Sequence, residues 1–316
     1  MSRTPPYAGL SPDVVLDAVA SLGLMPDGRL LALNSFENRV YQIGIEDENP
    51  IVAKFYRPQR WSNAAIDEEH AYARELAEAE LPLIAPLSFS GRTLHEHAGF
   101  RYALYPRRGG RAPSLESIEH LNWMGRLIAR IHSVGARTRF VERGTLDLAT
   151  FLDAPSQNVL ASPLLPPTSV ARYRSAIDAL RAPLLAAFAQ AGAQSLRLHG
   201  DCHPGNVLWT DQGPHFVDLD DARMGPAIQD LWMLAQDRRG LDALIEGYAE
   251  FRDFNFAEIS LIEPLRILRQ IHWAGWIASR WHDPAFPAAF PYVADPVWWE
   301  QHTSDLREAA NDLDPG

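Results

Sequence analysis

Asp201, Asn206 and Asp218 stand in the run from Leu196 to Asp221, L-R-L-H-G-D-C-H-P-G-N-V-L-W-T-D-Q-G-P-H-F-V-D-L-D-D. Leu196 to Leu198 has the apolar signature of a short strand, and Cys202 to Gly205 has loop chemistry. Val207 to Trp209 and Phe216 to Val217 read as two more short strands around the turn Asp211-Gln212-Gly213. Folding that hairpin back brings Asn206, at the start of one strand, beside Asp218, at the end of the other, with both facing Asp201. Hard oxygen donors of this kind suit Mg²⁺, which keeps several waters and bridges substrate phosphates. Asp201 is then left to take a proton from a hydroxyl. The chemistry implied is phosphoryl transfer to an alcohol.

The pattern H-G-D-x-H-x-x-N followed by an apolar-V-D resembles the phosphotransferase motif of the kinase-like superfamily that includes aminoglycoside phosphotransferases and choline kinases. Protein kinases carry the equivalent H-R-D-x-x-x-x-N and D-F-G. Three longer runs narrow the likeness: N-S-F-E-N-R-V-Y from Asn34, A-K-F-Y-R-P from Ala53, and V-D-L-D-D-A-R-M-G-P-A-I-Q-D-L-W-M-L from Val217. With these the chain is similar to the bacterial stress response kinase A family over nearly its whole length. The resemblance implies an α+β, two-lobed, protein-kinase-like fold. A small antiparallel-sheet N-lobe (residues 1–105) would carry the phosphate-binding hairpin. A larger, mainly helical C-lobe (106–316) would carry the catalytic loop. It also implies ATP at the hinge, Mg²⁺, and serine or threonine hydroxyls of proteins, the enzyme itself included, as acceptors in a stress pathway.

The elements that must position these groups can be read in order. Pro12 to Leu22 has helical periodicity with Ser11 as N-cap. Leu30 to Leu33 and Arg39 to Ile45 form a hairpin whose loop, Asn34-Ser35-Phe36-Glu37-Asn38, lacks the glycines of a protein kinase. Phosphate contact there falls to backbone N–H groups and the Ser35 hydroxyl, and the resemblance makes Ser35 an ATP contact. Asn34 and Asn38 are expected to help the loop close by accepting positive φ. On the strand Ile51 to Tyr56, alternation puts Val52 and Lys54 on one face. Lys54, between apolar neighbours one strand after the hairpin, is the candidate phosphate-binding lysine. Its acidic partner belongs on the helix Asn63 to Glu80, where Glu69 has Ile66, Tyr72, Ala73 and Leu76 at helical spacing and Glu68 does not; we assign Glu69. Leu94 to His97 and Phe100 to Tyr105 make another hairpin, and Pro106 to Gly110 breaks the pattern as a hinge.

Helices are expected over Ile118 to Val134, Ser169 to Ala191, Leu241 to Phe251 and Ile259 to Trp281. The Pro- and Ser-rich stretch Asp153 to Thr168 reads as a surface insertion, and the acidic end from Asp305 as a frayed tail. The tryptophans Trp273, Trp276, Trp281, Trp298 and Trp299 read as packing, with a substrate-facing role open for one or two. Only twelve positions separate Asp218 from Asp230, which resembles the helix-borne aspartate that hydrogen-bonds the catalytic loop in this superfamily. That leaves no room for a long activation segment, and Gly200 stands where a phosphate-reading arginine would be. Activity is therefore expected not to depend on loop phosphorylation.

At 316 residues and 47% hydrophobic the chain can hold two lobes with a sizeable core. The net charge of −11 disfavours nucleic acid, which requires a basic face, and suits solubility or a cationic substrate. The opening residues lack an apolar segment, no run approaches the roughly 18 apolar residues of a membrane span, and Cys202 is the sole cysteine. A cytoplasmic address is the expectation. Three other readings stay open: a small-molecule kinase acting on an alcohol or amino sugar, a metal hydrolase built on His199, Asp201, His203 and Asp218, and a non-catalytic nucleotide scaffold.

Overall fold

The computed structural model of the chain describes residues 5–313. Helix α1 (Pro12–Ala20) begins where the Ser11 hydroxyl accepts the Val14 N–H, with Pro12 in the first turn, where a missing N–H costs nothing. Strands β1 (Pro26–Leu33), β2 (Arg39–Ile45) and β3 (Ile51–Phe55) form a meander, followed by helix α2 (Asn63–Glu78), β4 (His95–His97) and β5 (Phe100–Pro106). The sheet is antiparallel with order β1-β2-β3-β5-β4. Ile43, Ile45, Ala53, Phe55, Tyr102 and Leu104 pack one sheet face onto Val15, Ala18 and Val19 of α1. Side-chain alternation sends Lys54, paired in register with Val40 and Ala103, to the opposite face.

The helical part begins with α3 (Ile118–Gly135), whose Ser117 cap accepts the His120 N–H and whose Leu121, Met124, Ile128 and Ile131 are buried. Helix α4 (Ala154–Leu160) follows a π-helical turn at Ala149–Asp153, then α5 (Val170–Ala191) runs to a left-handed Gly192. Four short strands come next: β6 (Leu196–Leu198), β7 (Val207–Thr210), β8 (Gly213–Phe216) and β9 (Arg223–Gly225). Then come α6 (Gln229–Trp232), α7 (Arg238–Ala249), α8 (Ile262–Arg280), α9 (Ala285–Ala289) and α10 (Pro296–Leu313). Antiparallel pairing of β6 with β9 and of β7 with β8 sets the loops 199–206 and 217–222 side by side. A backbone bridge from Arg111 to Trp209 docks the segment after β5 onto that hairpin. Among the described residues no helix is long and apolar enough to cross a membrane.

Three expectations are corrected. Asp153 to Thr168 is not a surface insertion: Pro155, Ser156 and Val159 of α4 are buried, and α4 packs on α8 where Gly275 lets Pro155 approach so closely that a Cβ would stand 2.5 Å from it. The C-terminal stretch does not fray across Asp305 to Leu313, because Trp299, His302, Thr303, Leu306 and Ala310 bury one face of α10 against α5; residues 314–316 lie outside the described residues. Asn34 and Asn38 do not take positive φ. The Asn38 side chain instead accepts the Arg57 backbone N–H at 3.1 Å, tying the hairpin loop to the chain beyond β3.

Candidate functional site

The loop after β6 is shaped by one buried carboxylate. Asp230, 1% exposed on α6, accepts the backbone N–H groups of His199 (2.8 Å) and Gly200 (2.9 Å) and faces Nε2 of His132 at 3.0 Å. Burial works against its charge, but the His132 hydrogen bond and the loop N–H groups hold its carboxyl below the usual range. Gly200 has φ +86°, and a Cβ there would sit 2.1 Å from the Asp221 carbonyl oxygen. Glycine is thus required for the two loops to touch. His199 braces the contact, with Nε2 on the Val217 carbonyl at 2.9 Å.

Asn206 donates its side-chain N–H to the Asp201 carbonyl (3.0 Å), which leaves its Oδ1 as the outward oxygen, and its own carbonyl accepts the Val217 N–H at 3.0 Å. Asp218 lies one residue beyond, in a left-handed conformation (φ 63°) that costs a non-glycine residue on the order of 1 kcal/mol. Its carboxylate is half exposed and lies 2.8 Å from Lys54 Nζ. Lys54 is also 3.2 Å from Asp220 and 3.8 Å from Glu69. Burial opposes its charge, yet Asp218, Asp220 and Glu69 together hold the ammonium well above its usual pKa. Glu69 is buried as well and its carboxyl is pushed up by that burial, against the pull of Lys54 and Arg143. Ser35, Val52, Lys54, Tyr105, Asn206 and Asp218 line one cavity of about 280 Å³ between the sheet and the 199–206 loop. Glu69 lines it too, so it brings together every sequence-assigned side chain except Asp201.

Asp201 faces a second cavity, of about 380 Å³, walled by Phe151, Trp273, Trp276 and Phe290. Its Oδ1 accepts from Arg269 Nη1 of α8 at 2.7 Å, and its Oδ2 is 3.4 Å from His203 Nε2. The Gly205 N–H donates to His203 Nδ1 at 3.0 Å, so Nε2 carries the proton that points to Asp201. Burial raises the Asp201 carboxyl, but His203 and the Arg269 guanidinium more than offset this and hold it well below the usual carboxylate range.

Several residues that matter here are silent in the sequence. Glu37, at the tip of the β1–β2 hairpin, accepts from Trp276 Nε1 (2.6 Å) and Arg280 (2.9 Å) of α8 and pairs with Arg57 at 3.2 Å, stapling the hairpin to the helical part. Arg60 pairs with Asp220 and with Asp221 (2.8 Å), and Arg223 pairs with Asp221 at 2.7 Å. These pairs use Asp220 and Asp221 as structural anions. Arg143, buried, donates to the carbonyls of Ala222 (2.9 Å) and Asp220 (2.5 Å) and approaches Glu69 at 3.4 Å. Glu68 caps the loop bearing Arg143 by accepting three consecutive backbone N–H groups, from Val141 (2.6 Å), Glu142 (3.0 Å) and Arg143 (3.0 Å). The only signal for Glu37 was its place in a quoted motif; Arg223 and Asp221 are two residues apart and their pairing can be read from the sequence, whereas the partners of Arg60, Arg143 and Glu68 are too far off for spacing to reveal. Trp273 and Trp276 line the cavity beside Asp201.

Comparison with known proteins bears on this arrangement. Residues 29–262 match the model of the phosphotransferase enzyme family. The chain is 45% identical over 307 residues to "Serine/threonine protein kinase RdoA" of Salmonella typhimurium, covering 96% of this chain and 93% of that protein. It is 44% identical over 312 residues to "Stress response kinase A" of Escherichia coli, covering 97% and 94%. Among solved structures, the amicoumacin kinase hAmiN in complex with AMP-PNP, Ca²⁺ and Ami superposes with a TM-score of 0.75 at 17% identity, over 96% of this chain and 93% of that one.

Proposed function

This chain belongs to the phosphotransferase enzyme family, and from that membership we propose that it moves the γ-phosphate of ATP, with Mg²⁺, to serine and threonine hydroxyls of proteins, its own included, in a bacterial stress response. The observation that carries this reading is the pair of cavities meeting at the loop 199–206, one lined by Lys54, Asn206 and Asp218, the other reached by Asp201. The name of the relative at 45% identity, a serine/threonine protein kinase, supports a protein acceptor, and that of the relative at 44% a stress response. We take 105/106 as the lobe boundary, at the end of β5, with the adenine against Val52 and the backbone near Tyr105 and Pro106.

In the proposed mechanism Ser35 and the hairpin backbone hold the phosphates from above. Lys54, within 2.8 Å of Asp218 in this structure, releases that carboxylate and turns to the α- and β-phosphates while Glu69 keeps its stem in place. The donor set fits the metal: the outward Oδ1 of Asn206 and the half-exposed Asp218 carboxylate are hard oxygens suited to an ion that keeps waters and phosphate ligands. Bound there, Mg²⁺ would supply neutralisation of the charge on the transferring phosphate. Asp201 orients the acceptor hydroxyl and receives its proton. Positioning and charge complementarity provide most of the acceleration, as expected for a loose phosphoryl-transfer transition state.

A small alcohol or amino sugar as acceptor is the second reading. It is favoured by the size of the Asp201-side cavity, about 380 Å³, and by the short 218–230 segment, which leaves no peptide platform of the protein-kinase kind. The test is transfer from γ-labelled ATP with Mg²⁺ to the protein itself and to a cell extract split into protein and metabolite fractions, comparing the wild type with Asp218→Asn. Loss of more than about 100-fold is expected in the variant, since even groups one step removed from a metal account for 10–100-fold. Asp218-dependent label on protein supports the first reading, label confined to metabolites the second, and equal label in both proteins refutes phosphotransfer at this site.

A further inference from the structure

The cavity beside Asp201 is lined by the arginines Arg60, Arg223 and Arg269 and by the carboxylates Glu37, Asp201 and Asp221. Arg60 and Arg223 are committed, both being held by Asp221 and Arg60 by Asp220 as well. Arg269 is placed differently. Its side chain is 42% exposed, it projects from α8, and among the described residues the carboxylate it pairs with is Asp201. Both oxygens of Asp201 are engaged, Oδ1 by Arg269 and Oδ2 by His203. An acceptor hydroxyl must therefore approach an oxygen that one of these two donors already faces.

The outcome depends on the acceptor's charge. A neutral or cationic alcohol that loosens the Arg269 pair offers the guanidinium nothing in exchange for Asp201, since Glu37 and Asp221 in the same cavity are held by other arginines. An alcohol that brings its own anion lets Arg269 exchange one carboxylate for another, and the planar fork of a guanidinium suits carboxylate and phosphate alike. We propose that the acceptor carries a negatively charged group beside its hydroxyl and that Arg269 reads it, leaving Asp201 for the acceptor's anion and so freeing the oxygen that the hydroxyl needs. This rests on the phosphotransfer reading above and names its substrate class. The same chemistry is met by a serine flanked by aspartate in a peptide or by a small hydroxy acid.

The experiment measures label transfer from ATP to two acceptor series that differ in charge alone. One series is serine peptides flanked by aspartate, alanine or lysine; the other is small alcohols bearing a carboxylate, no charge or an ammonium. The wild type is expected to favour the anionic member by about 10-fold or more in kcat/KM, the worth of one charge-assisted hydrogen bond. In Arg269→Gln the anionic-to-neutral ratio should fall to about 1, chiefly through KM of the anionic acceptor, and Arg269→Lys should restore part of it. A merely structural role for Arg269 would lower all acceptors together and leave the ratio unchanged. Preference for anionic peptides or for anionic small alcohols each supports the proposal, and which series is used decides between the two readings of the acceptor. A wild type indifferent to charge, or one favouring cations, overturns the proposal, as does a ratio that survives in Arg269→Gln. No Asp218-dependent transfer to any acceptor would refute the phosphotransfer reading and the proposal with it.

Discussion

Replacing Asp230 by asparagine removes one charge from the interior and changes almost nothing in volume. In the wild type Oδ2 serves the His199 N–H and His132 Nε2, while Oδ1 serves the Gly200 N–H. The carboxylate fixes the proton on His132 Nε2, and Nδ1 then accepts from the Tyr248 hydroxyl at 3.0 Å. In Asp230→Asn, whichever way the amide turns, its NH₂ faces one of the two loop N–H groups. His132 can change tautomer to suit either orientation; a backbone N–H cannot. One buried donor is thereby left unpaired, at a cost of about 1–3 kcal/mol, and the bonds that survive lose their charge assistance, about 1 kcal/mol more. The expected destabilisation is about 2–4 kcal/mol, read from denaturant midpoints followed by tryptophan fluorescence. Because the unpaired group is an N–H of His199 or Gly200, adjoining Asp201, phosphate transfer should fall with stability, by about 10-fold or more. The pH dependence follows from the depressed Asp230 pKa. A carboxyl held below its unfolded value of about 4 contributes stability that is present above that pH and lost as pH falls through the folded value. The gap between wild type and variant should narrow only below about pH 4. A change under about 1 kcal/mol with transfer intact would refute the claim that this carboxylate shapes the loop.

Further outcomes follow from other parts of the site. Lys54→Met should lower kcat/KM for ATP by about 10–100-fold, the value of a charge-assisted contact to phosphate, with the acceptor KM unmoved; equal loss on both substrates would count against its phosphate role. Glu37→Gln should free the hairpin from α8 by removing a carboxylate that answers Trp276, Arg280 and Arg57. Faster amide exchange across 34–38 and weaker nucleotide binding are expected, and an unchanged exchange rate would show that the staple is not holding the hairpin. Burial keeps His70 neutral, its pKa brought down to about 3, and holds His272 and His302 down to about 4. Unfolding releases each to titrate near 6.5, so the unfolded state binds more protons and stability declines as pH falls below about 6.5. His70→Gln should flatten that decline by about 1.4 kcal/mol per pH unit in urea denaturation between pH 6 and 4.5; an unaltered slope would mean that His70 titrates normally.

What the sequence revealed and what it hid divide along a physical line. Strand alternation was enough to send Lys54 away from the α1 face, and helical spacing was enough to separate Glu69, 3% exposed, from Glu68. Those are local periodicities, which give the face each side chain takes; the 2.8 Å from Lys54 to Asp218 is closed across 164 positions by the tertiary fold. Pro155 and Ser156 look like loop residues one at a time, yet proline is at ease in a first helical turn, and what buries it is Gly275, more than a hundred positions later. The acidic composition after Asp305 masked the spacing of Trp299, His302, Leu306 and Ala310, a helical stripe that was present to be read. Glu37, Arg143 and Arg269 were beyond reach for another reason. Each owes its place to an ion pair closed across tens to hundreds of residues, and a charged side chain in a turn or on a helix reads as solvated until its partner is known.

The grip of Glu68 on the backbone of Val141 to Arg143 has a consequence for how nucleotide affinity is set. With Arg143 reaching from that grip to Glu69 and to the carbonyls of Asp220 and Ala222, helix α2 and the Asp218 loop are cross-linked before any ligand arrives. In a kinase whose helix must swing inward, the apparent affinity for ATP is the intrinsic one divided by the inverse of a small competent fraction. Here Arg143 already joins α2 to the Asp218 loop and Lys54 lies 3.8 Å from Glu69, so the contact to be exchanged when a nucleotide binds is that of Lys54 with Asp218 rather than a swing of α2.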